Sequence, residues 1–322
     1  MVAQSAEVRP TSSACFVICE GRTIDAVGVK LLLASLQQHA PDFDVLAYIS
    51  RPLLDACRAD FSALHQRLHL IEYHGPENWS CKPVVLLDAI DRFPGKRMVW
   101  VDVDILVAGK LSVLAAVGHD MLIIAQESNP NDNARVMMRQ RALEIPVGSP
   151  RETTISSCVI GVTEAHRPLL VRWQSLMRHE SFLREQALVP ENRKLFMGDQ
   201  EVWEAVLCEP AHRDIPAFWL INDTHLVQAN FSTYRSSIPA TSRDGPLFIH
   251  ATGNLKPWRK SRERLLQEMF PYFWHARAYR ALLSPSEQKY FRRKSPFAWL
   301  WQHVGGGFST YRSVRRLLRR FQ

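Results

Sequence analysis

Two aspartates, Asp102 and Asp104, interrupt an otherwise apolar run, Met98-Val99-Trp100-Val101-Asp102-Val103-Asp104-Ile105-Leu106-Val107. A charge buried without a partner is costly, so this pair needs one. Residues two apart on a strand face the same side. A strand that ends or bends near Asp104 therefore lets both carboxylates reach one cation. Carboxylate oxygens suit Mg²⁺ or Mn²⁺, and such an ion stabilises a departing diphosphate. The competing reading is a pair of strand-end aspartates bonded to backbone amides or arginines.

The elements that would hold this pair follow from hydrophobic pattern. Ala14 to Cys19 is apolar and β-prone and reads as a buried strand ending at Glu20-Gly21. A helix capped by Asp25 follows, with Val29, Leu32, Leu33 and Leu36 on one face. Phe43–Ile49 and Leu68–Tyr73 are strands, and Pro52–Leu64 and Pro83–Ile90 are helices. Arg97–Val107 is a single long strand in this reading, and Met121–Ala125 another. The polar, Pro- and Asn-rich segment Asn129–Arg151 is expected to be a long loop or lid. Ser156–Val162 returns to strand character, Arg167–His179 and Gln200–Cys208 are helical, and Pro246–His250 is a last short strand. Alternation of this kind predicts an α/β fold, a mostly parallel sheet covered on both faces. Ligands in such sheets bind beyond the carboxyl ends of the strands.

Composition narrows the class. With 322 residues, 46% hydrophobic and 22% charged, the chain can bury a substantial core. The six cysteines contain no Cys-x-x-Cys pair, which argues against a zinc or redox motif. Cys15, Cys158 and Cys208 sit in apolar runs, as reduced cysteines do. Met1–Ser13 lacks the apolar core of a signal peptide, and no apolar run approaches the roughly 20 residues of a spanning helix. A reduced, cytoplasmic chain is the expectation, peripheral on the inner face of the membrane if it meets one. The net charge of +8 is concentrated after about residue 256. It points to anionic substrates, an anionic membrane or nucleic acid.

The run Trp100 to Gly109 resembles the metal-binding strand of GT-A-fold glycosyltransferases. It is most similar to the retaining family that includes bacterial lipopolysaccharide galactosyl- and glucosyltransferases and glycogenin. Cys15–Gly21 resembles that family's first strand, and Ser35-Leu36 the Ser-Leu on its following helix. Lys82-Pro83 resembles the segment carrying a basic residue near the donor. Gly198-Asp199-Gln200 matches an Asp-Gln pair beside the transferred sugar. Phe248-Ile249-His250, Gly253 and Lys256-Pro257-Trp258 resemble a closing signature. One departure falls at the sugar-recognising amide, where Ser156-Ser157-Cys158 stands in place of Asn-Ser-Gly.

The resemblance covers residues 14–258 and implies a Rossmann-like GT-A catalytic domain. It implies a hexosyltransferase that uses a nucleotide-sugar donor, by family habit a UDP-sugar, with a divalent cation, Mn²⁺ or Mg²⁺. It implies a saccharide or lipid-linked glycan acceptor, as in lipopolysaccharide or polysaccharide biosynthesis, and retention at the anomeric carbon. The implied metal ligands are Asp102, Asp104 and His250. Donor contacts fall to Cys19, Glu20, Gly21, Lys82, Asp102, Gly253 and Lys256, and catalytic roles to Asp199 and Gln200. Each has a plainer alternative. His250 reads equally as a hydrogen-bonded core histidine, Lys256 as a solvated surface lysine, Asp199 as a helix N-cap, and Trp79 and Trp258 as packing aromatics.

Residues 259–322 form a basic extension. Beyond a Gly305-Gly306-Gly307 hinge, Tyr311, Val314, Leu318 and Phe321 share one helical side and five arginines fill the rest. That pattern suits a membrane-surface anchor or a helix packed on the domain with a solvated arginine face. Two other functions stay open at this point: a nucleotide-sugar-binding domain without catalysis, and a nucleic-acid-binding protein using the tail. Nucleic acid is not expected as a partner, because the arginines are confined to one terminus and no recognised module is visible.

Overall fold

The computed structural model describes residues 13–22, 26–75, 80–130, 132–228, 246–253, 256–259, 267–268 and 270–292. The expected cap Asp25, Trp79, the triple glycine and the arginine-rich terminal helix lie outside the described residues.

The first half of the chain alternates as its pattern predicts: β1 (Ala14–Glu20), α1 (Ala26–His39), β2 (Asp44–Ser50), α2 (Arg51–Leu64), β3 (Leu68–Tyr73), α3 (Cys81–Arg92) and β4 (Arg97–Val101). β2 and β4 are buried at every position and β1 at all but Cys19. Runs this apolar have no side to turn to water and are stable only between two covering layers. The four strands pair in parallel in the order β3-β2-β1-β4. β7 (Thr153–Val162) then pairs antiparallel with both β4 and β6 (Leu122–Pro130), and β8 (Ala217–Leu220) closes the sheet parallel to β6. Of the seven strands, β7 alone runs against the rest.

Helices α1 and α2 cover one face. Phe270, Tyr272, Phe273, Ala276 and Phe291, from beyond residue 258, join the same core cluster. The other face is covered by α3, α6 (Arg167–Leu176) and α8 (Asp199–Leu207). Trp173 of α6 and Trp203 of α8 are fully buried with ring centroids 4.7 Å apart. Such a pair contributes about 0.5–1.5 kcal/mol beyond its area burial.

Two expectations are corrected. The run 97–107 is not one strand. It breaks after Val101, and Ile105 N–H donates to Asp102 C=O at 3.0 Å across a tight turn. Its second part, β5 (Ile105–Val107), leaves the main sheet and pairs antiparallel with β10 (Phe248–His250), which pairs parallel with β9 (Leu226–Gln228). The residues are apolar on both sides of the break because both halves are buried, one in each sheet. Segment 129–151 is not a long loop. β6 continues to Pro130 and a helix, α5 (Asn133–Ala142), comes next, its first turn capped by Asp132, which accepts from Arg135 N–H at 3.1 Å. Its inward face hides from a hydrophobic pattern because it is largely polar. Arg139 pairs with Glu204, and Gln140 donates to Ala205 C=O at 3.1 Å.

Candidate functional site

The turn between β4 and β5 sets Asp102 and Asp104 at the carboxyl end of the parallel strands. Three contacts hold it. Asp102 N–H still bonds Cys158 C=O of β7 at 3.0 Å, and Ala251 N–H donates to Asp104 C=O at 2.9 Å. Ser35 of α1 accepts from Val107 N–H at 3.1 Å while donating to Leu32 C=O at 2.8 Å. α1 lies so close that a Cβ on Gly28 would stand 2.6 Å from Val103 C=O. The pairing of β10 with β5 carries His250, distant in sequence, opposite Ile105.

One ligand atom each from Asp102, Asp104 and His250 lies within 4.8 Å of the others. Among the described residues no other group of three or more His, Cys, Asp or Glu side chains meets so closely. His250 Nε2 is 3.3 Å from Asp104 Oδ1, and Lys256 Nζ 2.7 Å from Asp104 Oδ2. Burial opposes charge on the His250 ring, but Asp104 beside it outweighs burial and lifts its pKa to about 10. Burial likewise opposes charge on Asp104, and Lys256 and His250 hold its carboxyl well below the usual range. The solvated-surface reading of Lys256 is corrected: it is 9% exposed and bound to Asp104. Gly253, in the loop between them, has φ +58°, a left-handed conformation that favours glycine.

Lys82, the second residue of α3, is a second buried lysine at this site. Its ammonium lies 3.1 Å from Asp102 Oδ1 and 3.1 Å from Asp199 Oδ2, and donates to Ser157 C=O at 2.9 Å and Ser157 Oγ at 3.0 Å. Burial works against its charge, yet the two carboxylates keep it firmly protonated. Asp199 is the first residue of α8. The cap position belongs to Gly198, so the N-cap reading of Asp199 is also corrected. Neither Asp199 oxygen receives a well-aligned hydrogen bond, and burial raises its pKa against the pull of Lys82. Gln200 donates to Glu127 Oε1 at 3.1 Å. At the end of β1, Glu20 is buried and held by Arg22 through Nε–Oε1 at 2.9 Å and Nη2–Oε2 at 2.8 Å.

All these groups border one cavity of about 280 Å³. Its wall brings together Cys19, Glu20, Gly21, Lys82, Asp102, Asp104, Asp199, Gln200, His250, Gly253 and Lys256, every site residue expected from the sequence. Trp258 is absent from the wall; it packs on Tyr272 with centroids 5.8 Å apart, the packing role.

Sequence reasoning missed several wall residues. Glu127 is the main one. Burial raises its carboxyl to about 7, with Glu201 and Glu204 adding to the rise and the Gln200 hydrogen bond opposing it. Its signal was present: Glu127 closely follows the apolar run Leu122–Ala125 of β6, as Asp102 follows that of β4. Cys19 and Cys81 also meet at the cavity, and the hydrogen bond between their thiols pushes Cys19 well above the usual thiol range. At the departure from the family pattern, Ser157 spends both its oxygens on Lys82.

A sheet of this order, with an acidic turn leading from β4 into a small second sheet, matches the GT-A fold of solved glycosyltransferases. Among solved structures the chain is similar to apo WbbM, a bifunctional glycosyltransferase, over 89% of its own length at 14% identity and TM-score 0.54. It spans about half of that protein, 53%. Mouse xyloside xylosyltransferase 1 aligns with 75% of this chain and 98% of its own at 13% identity and TM-score 0.48. The galactosyltransferase LgtC, solved with donor and acceptor sugar analogs, aligns with 83% of this chain and 99% of its own at 15% identity and TM-score 0.45. The likeness to WbbM supports the fold alone. No protein-family model matches the chain, and no curated protein matches it.

Proposed function

We propose that the chain is a metal-dependent glycosyltransferase that moves a hexose from a nucleotide-diphosphate sugar, a UDP-sugar by family habit, to a saccharide or lipid-linked glycan acceptor. The observation that carries this reading is the junction of Asp102, Asp104 and His250 in one cavity with Lys82, Lys256, Asp199 and Gln200. The residues suit a divalent cation: two carboxylates, and the His250 imidazole once a cation displaces its proton, are a donor set for Mn²⁺ or Mg²⁺. His250 Nδ1 is moreover buried with no hydrogen-bond partner. Bound there, the cation would supply positive charge against the diphosphate leaving group.

The chain's own groups do the rest. Lys256 and Gly253 receive the diphosphate, the ammonium as a compact point charge. Cys19, Glu20 and Gly21 border the nucleotide at the end of β1. Asp199 and Gln200, rigid at the start of α8, face the sugar, and Lys82 holds Asp199 in place. The bond from the anomeric carbon to the phosphate oxygen breaks while the acceptor hydroxyl oxygen bonds that carbon. With retention, attack on the same face lets the departing phosphate take the acceptor proton. A double displacement instead draws its nucleophile from Asp199 or Gln200. Turnover of Asp199→Asn and Gln200→Ala decides between them: near-normal rates in both remove either residue from the chemistry.

Residues 14–258 form the proposed catalytic unit. Of the 259–322 extension, 270–292 contributes to the core, and the proposed membrane-surface contact falls to the basic helix beyond Gly305-Gly306-Gly307, outside the described residues. No helix among the described residues is long and apolar enough to cross a membrane.

The test is thermal stability with a panel of nucleotides and sugar nucleotides, each with Mn²⁺ and with chelator. A ligand bound only by the native state raises the melting temperature. A shift with one UDP-sugar, lost with chelator and in Asp104→Ala, is the expected result. A folded sample that responds to no nucleotide overturns the proposal.

A further inference from the structure

The indole of Trp100 has no part in the site as described so far. It is 2% exposed, and its Nε1–H donates to Asp102 Oδ1 at 2.7 Å. An indole has a single donor and no acceptor. Trp173 and Trp203, buried as deeply, leave their Nε1 atoms without a partner. A hydrogen bond is therefore not the automatic fate of a buried indole in this chain, and Trp100 spends its one donor on a carboxylate in the acidic turn.

The two aspartates are held differently. Both face an ammonium, but at Asp104 the partners are Lys256 and the His250 ring, whereas Asp102 adds a neutral donor to its ammonium. At Asp102, Oδ1 takes the indole N–H together with Lys82 at 3.1 Å, and Oδ2 has the longer 3.4 Å contact to Lys82. The neutral indole orients the carboxylate without neutralising it. Lys82 also sits 5.6 Å from the Trp100 ring centroid, so one side chain steadies both the carboxylate and the ammonium beside it.

We propose that Trp100 is a positioning residue: its indole N–H fixes the Asp102 carboxylate with Oδ2 left for a divalent cation, and so sets the cation affinity of Asp102, Asp104 and His250. This rests on the metal-dependent reading above. Donors behind metal ligands typically contribute 10- to 100-fold in metal affinity, and phenylalanine at this position cannot donate.

The experiment is calorimetric titration of the full chain with Mn²⁺ in the presence of UDP. It compares wild type, Trp100→Phe, and a variant carrying 3-benzothienylalanine at position 100. That isostere replaces the N–H by sulfur and keeps the ring size, so it separates the donor from the packing. Both variants are expected to bind Mn²⁺ about 10- to 100-fold more weakly. Their KM for Mn²⁺ should rise in step, with turnover recovering at saturating Mn²⁺. Normal Mn²⁺ affinity in the benzothienyl variant overturns the role of Trp100, even if Trp100→Phe is impaired. A folded wild type that binds no Mn²⁺ with UDP overturns instead the metal-dependent reading beneath it.

Discussion

Replacing Glu127 by glutamine should change how stability depends on pH. The folded protein holds the Glu127 proton to about pH 7, because burial and the neighbouring Glu201 and Glu204 disfavour the charge, whereas the ordinary value is 4.5. Between those values the native state binds more protons than the unfolded chain, so this group makes stability fall as pH rises. The contribution is fully present below pH 4.5 and is lost as pH climbs through 7. A difference of 2.5 units corresponds to at most about 3 kcal/mol at pH 8. At pH 5 it is below about 1 kcal/mol by the same linkage. Glu127→Gln removes the titration yet keeps an acceptor for Gln200. Thermal melts of both proteins at pH 5, 6, 7 and 8, in chelator so that no cation adds charge to the cavity, read the effect. The melting temperature of the variant relative to wild type should rise by roughly 5 °C from pH 5 to pH 8, at about 2 °C per kcal/mol for a chain of this size. Parallel curves refute the reasoning, because they mean Glu127 is ionised in the folded protein throughout.

Three further outcomes rest on single contacts. Lys256→Met leaves Asp104 buried with His250 as its remaining cationic partner, and should cost about 3 kcal/mol in chelator. Mn²⁺ then takes the place of the ammonium, so the Mn²⁺-induced rise in melting temperature should be larger in this variant than in wild type; equal rises refute the competition. Gly28→Ala, which at an ordinary helix position gains up to about 1 kcal/mol, should lose about 1–3 kcal/mol here. Its Cβ meets the Val103 carbonyl at 2.6 Å, and urea denaturation reads the sign. Arg139→Met removes the guanidinium from buried Glu204, loosening α5 from α8 at a cost of about 3 kcal/mol, also read in urea. Rapid amide exchange confined to α5 would accompany it, and unchanged protection there would contradict that contact's role.

Much of this architecture was legible before any coordinates. The strands β1, β2 and β4 announce themselves as largely apolar runs, because a strand buried on both faces tolerates few polar side chains. Asp102 and Asp104 stand out for the same reason, as the two charges in such a run. The end of that strand did not show. Asp102-Val103-Asp104 has no glycine, proline or asparagine, and its two aspartates, common in turns, read first as ligands; it is the pairing of Ile105–Val107 with β10 that takes the chain out of the main sheet. Helix α5 escaped because its buried face is made of Val136, Arg139 and Gln140, and hydrophobic periodicity cannot register a face satisfied by hydrogen bonds.

Sequence by itself thus determined the alternation of strands and helices in the first half, the α/β class and the Asp102–Asp104 segment as the place to look, since burial on two faces and charge within an apolar run are local properties of the chain. The tertiary structure decided which distant groups share the cavity. Antiparallel pairing of β10 with β5 brings His250 and Lys256 to Asp104, and the packing of α3 and α8 on one face of the sheet sets Lys82 between Asp102 and Asp199. Burial in the same cavity wall makes Glu127 a weak acid, a property that depends on the surrounding dielectric and charges.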